Sequence, residues 1–245
     1  MMKPSQGELE ILLDAEALAE AAAAWLVRLA KAKDGIVVIA LAGGATPRRF
    51  YERLAEPPFR EAFSWSRTHW FWGDERFAPH DDPRSNYLMV KKALLSRAPI
   101  PPGNVHPIPT LAPSPRAAAQ AYETELKSFY GADVLVSSRP LFDAVILGLG
   151  KDGHTASLMP DSNALNDRGR WAVEVIGAAP EARITLTYPA LESCVEAAFL
   201  IEGAEKRSAL DRLRADDERI PAGRLCTRGA LRIFADVDAA GTVLG

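Results

Sequence analysis

The 245-residue chain carries 48% hydrophobic and 25% charged residues and a net charge of −3. That balance is of the wrong sign to attract nucleic acid or an anionic membrane as a bulk property, so any anion site must be local. A chain of this length buries enough surface to fold without a disulfide or metal staple, and Cys194 and Cys226, in no CxxC pair, read as reduced.

The opening residues Met1-Met2-Lys3-Pro4-Ser5-Gln6 hold no apolar signal core. The run from Ala15 to Ala32 is broken by Glu16, Glu20, Arg28 and Lys31, so it reads as an amphipathic helix rather than a membrane span. The expected location is the cytoplasm. Asp14 supplies that helix with an N-cap, and Asp34-Gly35 supplies its stop. Ile36 to Leu41 is a continuous apolar run and predicts a strand buried on both faces. After Ala42-Gly43-Gly44-Ala45 a helix is expected with Thr46 as N-cap and Pro47 at its first position, ending before Pro57-Pro58.

Thr68 to Trp72 predicts a second strand, Asn86 to Ser96 a helix, and Asn104 to Ile108 a short strand. Ser114-Pro115 opens a helix that Gly131 closes. Phe142 to Leu147 is another buried strand. Trp171 to Ile176, Arg183 to Thr187, Ala197 to Ile201 and Leu231 to Ala235 are further strands, with a helix over Ala204 to Arg214. Strands alternating with helices predict a parallel sheet covered by helices on both faces. Ligands of such sheets sit beyond the carboxyl ends of the strands, where both glycine-rich turns fall.

Three segments can carry chemistry. Gly43-Gly44-Ala45-Thr46 leads from a buried strand into a helix N-terminus, whose first N–H groups lack partners and suit a phosphate. The same residues also describe an ordinary strand–turn–helix connection, and shape alone leaves both open. No Gly-Lys-Ser/Thr follows, so this is not a Walker loop. Gly148-Leu149-Gly150-Lys151-Asp152-Gly153 spells G-x-G-x-x-G, with Glu174 downstream as a dinucleotide site asks. Pro160 lies too close for the long helix such a site opens. The segment reads better as a loop presenting His154 beside Asp152. Imidazole titrates near neutrality and suits general-base work; His69, His80 and His106 lack this setting. In Gly73-Asp74-Glu75-Arg76 the arginine could grip phosphate in bidentate fashion, although a surface ion cluster would look the same. No HExxH, CxxC pair or clustered ligand set supports a catalytic metal, and no GxSxG supports a serine nucleophile.

Together these segments resemble the 6-phosphogluconolactonases. The resemblance rests on Ala42-Gly43-Gly44-Ala45-Thr46-Pro47, Gly73-Asp74-Glu75-Arg76 with Ser85-Asn86-Tyr87, and Val105-His106-Pro107-Ile108-Pro109. It continues through Leu147 to Pro160, Arg183-Ile184-Thr185-Leu186-Thr187 and Gly203-Ala204-Glu205-Lys206, spanning about residues 37–235. Asp152-Gly153-His154-Thr155-Ala156-Ser157 is its most specific part. Ala45 stands where the family usually has serine.

Pattern and resemblance agree on an α/β fold: a three-layer αβα, mostly parallel, Rossmann-like sheet, as one domain over residues 1–245. The resemblance implies hydrolysis of 6-phospho-D-glucono-1,5-lactone, a small sugar-phosphate lactone, to 6-phosphogluconate in the pentose phosphate pathway. The missing ligand sets and the net charge lead us to expect no metal or cofactor and no nucleic-acid or membrane partner, and the chain is expected to be a monomer or homodimer. It implies His154 and Asp152 as the catalytic pair. Substrate would be held by Gly43, Gly44, Ala45, Thr46, Arg76, Gly153, Arg183 and Lys206, with Asp74 holding Arg76 or a sugar hydroxyl and glycine-loop N–H groups serving the oxyanion. The sister glucosamine-6-phosphate deaminases share the turn and the Asp-Gly-His core, but carry a ring-opening glutamate where this chain has Met159. A non-catalytic sugar-phosphate sensor would have no reason to keep Asp152 and His154.

Overall fold

The computed structural model describes residues 1–241. Strand β1 (Glu8–Leu12) leads into α1 (Ala15–Ala32), β2 (Val37–Leu41), α2 (Ala45–Leu54) and the short α3 (Phe59–Ala62). Next come β3 (Thr68–Trp72), β4 (Asp74–Arg76), α4 (Asn86–Val90), β5 (Val105–His106), α5 (Pro115–Tyr130) and β6 (Phe142–Gly148). The last third holds β7 (Ala172–Val175), β8 (Arg183–Leu186), α6 (Tyr188–Glu192), β9 (Cys194–Ile201), α7 (Arg207–Arg214), β10 (Ala230–Asp236) and α8 (Val237–Ala240).

Seven strands form one parallel sheet in the order β1-β10-β9-β6-β2-β3-β5, with helices packed around it. All five residues of β2 are buried, which explains an apolar run without alternation. Each such fully buried Leu or Ile side chain contributes about 1.5–3 kcal/mol. The Asp14 carboxylate accepts the Ala17 N–H at 2.8 Å and starts α1. Ser114 does the same for α5, which Gly131 ends in the left-handed conformation. Both cysteines are free, and burial pushes the Cys194 thiol up to about 12.

Four expectations change. Helix α2 begins at Ala45 with Gly44 as its cap, because the Arg48 N–H already bonds the Gly44 carbonyl at 3.1 Å. Thr46 is therefore inside the first turn, and Pro47 takes a position whose N–H has no intrahelical acceptor. The segments 172–175 and 183–186 do not join the parallel sheet. With β4 they make a separate antiparallel sheet in the order β4-β8-β7. The helix expected over 86–96 changes into a π-helical turn at Lys91–Leu95, where the Ser96 N–H reaches back to Lys91. Strand β1 was not expected at all, and it closes the sheet edge against β10.

The chain builds outward from β2 to β3 and β5, then returns to β6 on the other side of β2 and builds towards β9 and β10. The strand order therefore reverses between β2 and β6. In open α/β sheets that point leaves a crevice at the carboxyl edge.

Candidate active site

A cavity of about 420 Å³ opens at this crevice. Residues 42–47 after β2 form one wall, and Gly148, Leu149, Gly150, His154 and Ala156 after β6 form the opposite one. Asp74, Arg76, Asn86 and Arg183 come from the small sheet and α4, and Glu202, Gly203, Glu205 and Lys206 after β9 complete the rim.

Two buried tyrosines hold the strand ends in place. The Tyr51 hydroxyl accepts the Ala42 N–H and donates to the Ala42 carbonyl, both at 2.9 Å, and so ties α2 to the turn after β2. Tyr122 does the same for Trp72 at the end of β3, at 2.7 and 2.9 Å. Glu75 is buried beneath α4 and accepts the N–H groups of Asn86 and Tyr87 at 2.7 Å and the Ser85 hydroxyl at 3.0 Å. Burial pushes its carboxyl above the usual range, against the pull of those backbone bonds.

Asp152 and His154 meet across a tight turn. The Gly150 N–H donates to the His154 carbonyl at 2.8 Å, and the Gly153 N–H donates to the Gly150 carbonyl at 2.9 Å. Inside this loop His154 Nδ1 lies 2.6 Å from Asp152 Oδ1. An ionised carboxylate only accepts, so Nδ1 carries the proton and Nε2 keeps its lone pair. Nε2 has no protein partner among the described residues. Burial alone would raise the Asp152 carboxyl. The His154 N–H and the nearby imidazole outweigh burial and hold it below the usual carboxylate range.

Three cations line the same cavity. Arg76 and Arg183 are direct cross-strand partners on β4 and β8. Arg76 donates from Nη1 to the Arg84 carbonyl at 3.1 Å and to Asn86 Oδ1. The Nε atoms of both arginines are buried without an acceptor. Lys206 stands in the turn after Gly203 and has no carboxylate within 4 Å among the described residues. The N–H groups of Ala45 and Thr46 open α2 on the same cavity and have no intrahelical acceptor.

Of the residues singled out from sequence, Gly43, Gly44, Ala45, Thr46, Asp74, Arg76, His154, Arg183 and Lys206 line this one cavity. Asp152 stands behind His154. Gly153 lies outside the lining, with its N–H committed to Gly150 and its carbonyl accepting from Ala222 at 2.9 Å. The glycine-loop N–H groups of Gly150 and Gly153 are thus already used. Asp74 makes no ion pair with Arg76; it accepts from the Ser157 hydroxyl at 2.6 Å. Sequence reading named Asn86 but gave it no role; it donates to the Asp74 carbonyl at 2.9 Å and steers Arg76. It likewise assigned no separate role to Gly150, where a Cβ would fall 2.1 Å from His154 Nδ1. The glycine pattern marked Gly150, and the Ser85-Asn86 helix start marked Asn86.

The family profile for glucosamine-6-phosphate isomerases/6-phosphogluconolactonase matches residues 13–233. The chain belongs to this family. A 6-phosphogluconolactonase of Synechocystis sp. is 38% identical over 238 residues, covering 95% of this chain and 96% of the relative. The solved 6-phosphogluconolactonase from Thermotoga maritima superposes with a TM-score of 0.79 at 34% identity, covering 94% of this chain and 99% of that one. A monomeric glucosamine-6-phosphate deaminase superposes with a TM-score of 0.80 at 22% identity, covering 96% and 99%. Fold alone therefore does not separate the two activities. Met159, where the resemblance sets the deaminase's glutamate, is buried and outside the cavity lining.

Proposed function

We propose that this chain hydrolyses 6-phospho-D-glucono-1,5-lactone to 6-phosphogluconate, a step of the oxidative pentose phosphate pathway. One observation carries the reading: an imidazole backed by a carboxylate faces the same cavity as Arg76, Arg183, Lys206 and the N-terminus of α2. A hydrolytic end and an anion-holding end are what a phosphorylated lactone requires.

The reaction divides between these ends. His154 Nε2 takes a proton from water as the water oxygen bonds to the lactone carbonyl carbon. Asp152 holds the ring orientation and stabilises the imidazolium. The tetrahedral intermediate collapses by breaking its bond to the ring oxygen, which receives the proton back from His154. The phosphate, remote from the reacting carbon, anchors the substrate through the cations and the Ala45 and Thr46 N–H groups, and so contributes positioning. Asp74 is left to meet a sugar hydroxyl. Met159 offers no proton-transfer group for the sister activity.

This reading makes the chain a single-domain enzyme of the cytoplasm acting on a small soluble metabolite. Among the described residues no helix is long and apolar enough to cross a membrane. The test is base uptake at constant pH with freshly made lactone, measured against the spontaneous rate. A purified chain that adds nothing to the spontaneous rate overturns the assignment.

A further inference from the structure

Arg76 and Arg183 project from the same side of the small sheet because they face each other across β4 and β8. Like charges placed so repel. Among the described residues a single carboxylate lies near both: Glu181 Oε1 is 3.3 Å from Arg183 Nη2 and 3.9 Å from Arg76 Nε. Both distances exceed the roughly 2.7–2.9 Å of a close charge-assisted bond. The two Nε groups remain without hydrogen-bond acceptors. Glu181 therefore offsets charge and accepts one long bond from Arg183 Nη2, but it leaves both Nε donors unsatisfied. A ligand with several acceptor oxygens would do both.

We infer that Glu181 is a built-in competitor for the arginine pair and sets how tightly this site holds phosphate. The inference rests on the reading of Arg76 and Arg183 as the phosphate anchor. Two guanidiniums and one carboxylate leave a single positive charge on the arginine pair, with Lys206 elsewhere in the same cavity lining. A phosphate dianion must share the pair with Glu181 or displace it, and either costs affinity. The carboxylate keeps the unliganded pair from repelling, and it limits how firmly a phosphorylated product is retained.

The experiment compares E181Q, E181A and R183A with the parent. Calorimetry gives the Kd for inorganic phosphate, and base uptake gives KM and kcat for the phosphorylated lactone. A partly exposed ion pair is worth up to about 1 kcal/mol, so E181Q should bind phosphate roughly two- to fivefold more tightly. KM should fall in proportion, and E181A should follow E181Q. Unchanged or weaker phosphate binding in E181Q, with R183A weakened as the anchor requires, would overturn the role of Glu181 alone. Tightening in E181A without tightening in E181Q would mean that bulk rather than charge was removed, and would overturn it too. Phosphate binding untouched in R183A would overturn the anchor reading and this inference with it.

Discussion

A single methyl group added at Gly150 should disable the site and leave the fold intact. Gly150 lies outside the left-handed backbone region, so alanine meets no conformational penalty there. What it meets is the catalytic pair. A Cβ would stand 2.1 Å from His154 Nδ1, 2.4 Å from His154 Cε1 and 2.5 Å from Asp152 Oδ1. Non-bonded contacts to carbon relax near about 3.5 Å, so the ring and carboxylate must retreat by roughly 1 Å. Both are ends of partly exposed side chains, and they can move without disturbing the sheet. The strain should stay near the low end of the ~1–3 kcal/mol that overpacking costs. A misplacement of about 1 Å at the reacting centre costs on the order of 10²-fold in rate. Gly150→Ala should therefore lower kcat about 10²-fold or more, while the cation anchor still holds 6-phosphogluconate. Base uptake measures the first quantity and calorimetry the second. Near-parental turnover in a folded variant would refute the claim that the Asp152–His154 geometry governs the rate. Equal losses of rate and product affinity would show that the damage spreads beyond the pair.

His154→Ala should lose about 10²–10⁴-fold in kcat yet bind 6-phosphogluconate like the parent, and a fast variant would remove His154 as the base. The Asp152 carboxyl is raised by burial but held below the usual range by the stronger effect of His154. A depressed folded value stabilises the fold fully above the unfolded value, about 4, and that contribution is lost as pH falls through the folded value. Asp152→Asn should thus lower Tm at pH 7, by a gap that narrows as pH falls towards 3; a gap that widens in acid contradicts the sign. Exhaustive chelation should leave kcat unchanged, since the proposed chemistry asks only for imidazole, carboxylate and water. Activity lost to chelator and restored by a divalent ion would overturn that.

Elements whose identity is local were legible in the sequence. The apolar runs of β2, β3 and β6 announce buried strands, and Asp14, Ser114 and Gly131 announce helix ends through bonds made within a few residues. Elements created by distant pairing were not. Strand β1 alternates exposed and partly buried residues at a sheet edge, and it exists through pairing with β10, more than 200 residues away. Strand β4 is Asp-Glu-Arg, a sequence with no strand character of its own, and β8 supplies its partner from over 100 residues downstream. The same long-range pairing makes neighbours of Arg76 and Arg183.

The glycines show where local reading stops. A glycine in a turn signals that something approaches the backbone closely, but not what approaches. At Gly43 the space of a Cβ is filled by the Asn86 side chain, 2.0 Å away, and at Gly150 by the Asp152–His154 pair. Gly153 combines a positive φ with close contact to Ile220. None of these three is glycine solely to admit a ligand. Each lets a functional or packing side chain lie against the main chain, and the loop's own N–H groups hold its shape. Contact with substrate then falls to the side chains so placed and to the open N-terminus of α2. Substitutions at Gly43 and Gly150 should consequently act by moving Asn86 in the first case and His154 with Asp152 in the second, and their effects should divide between affinity and rate accordingly.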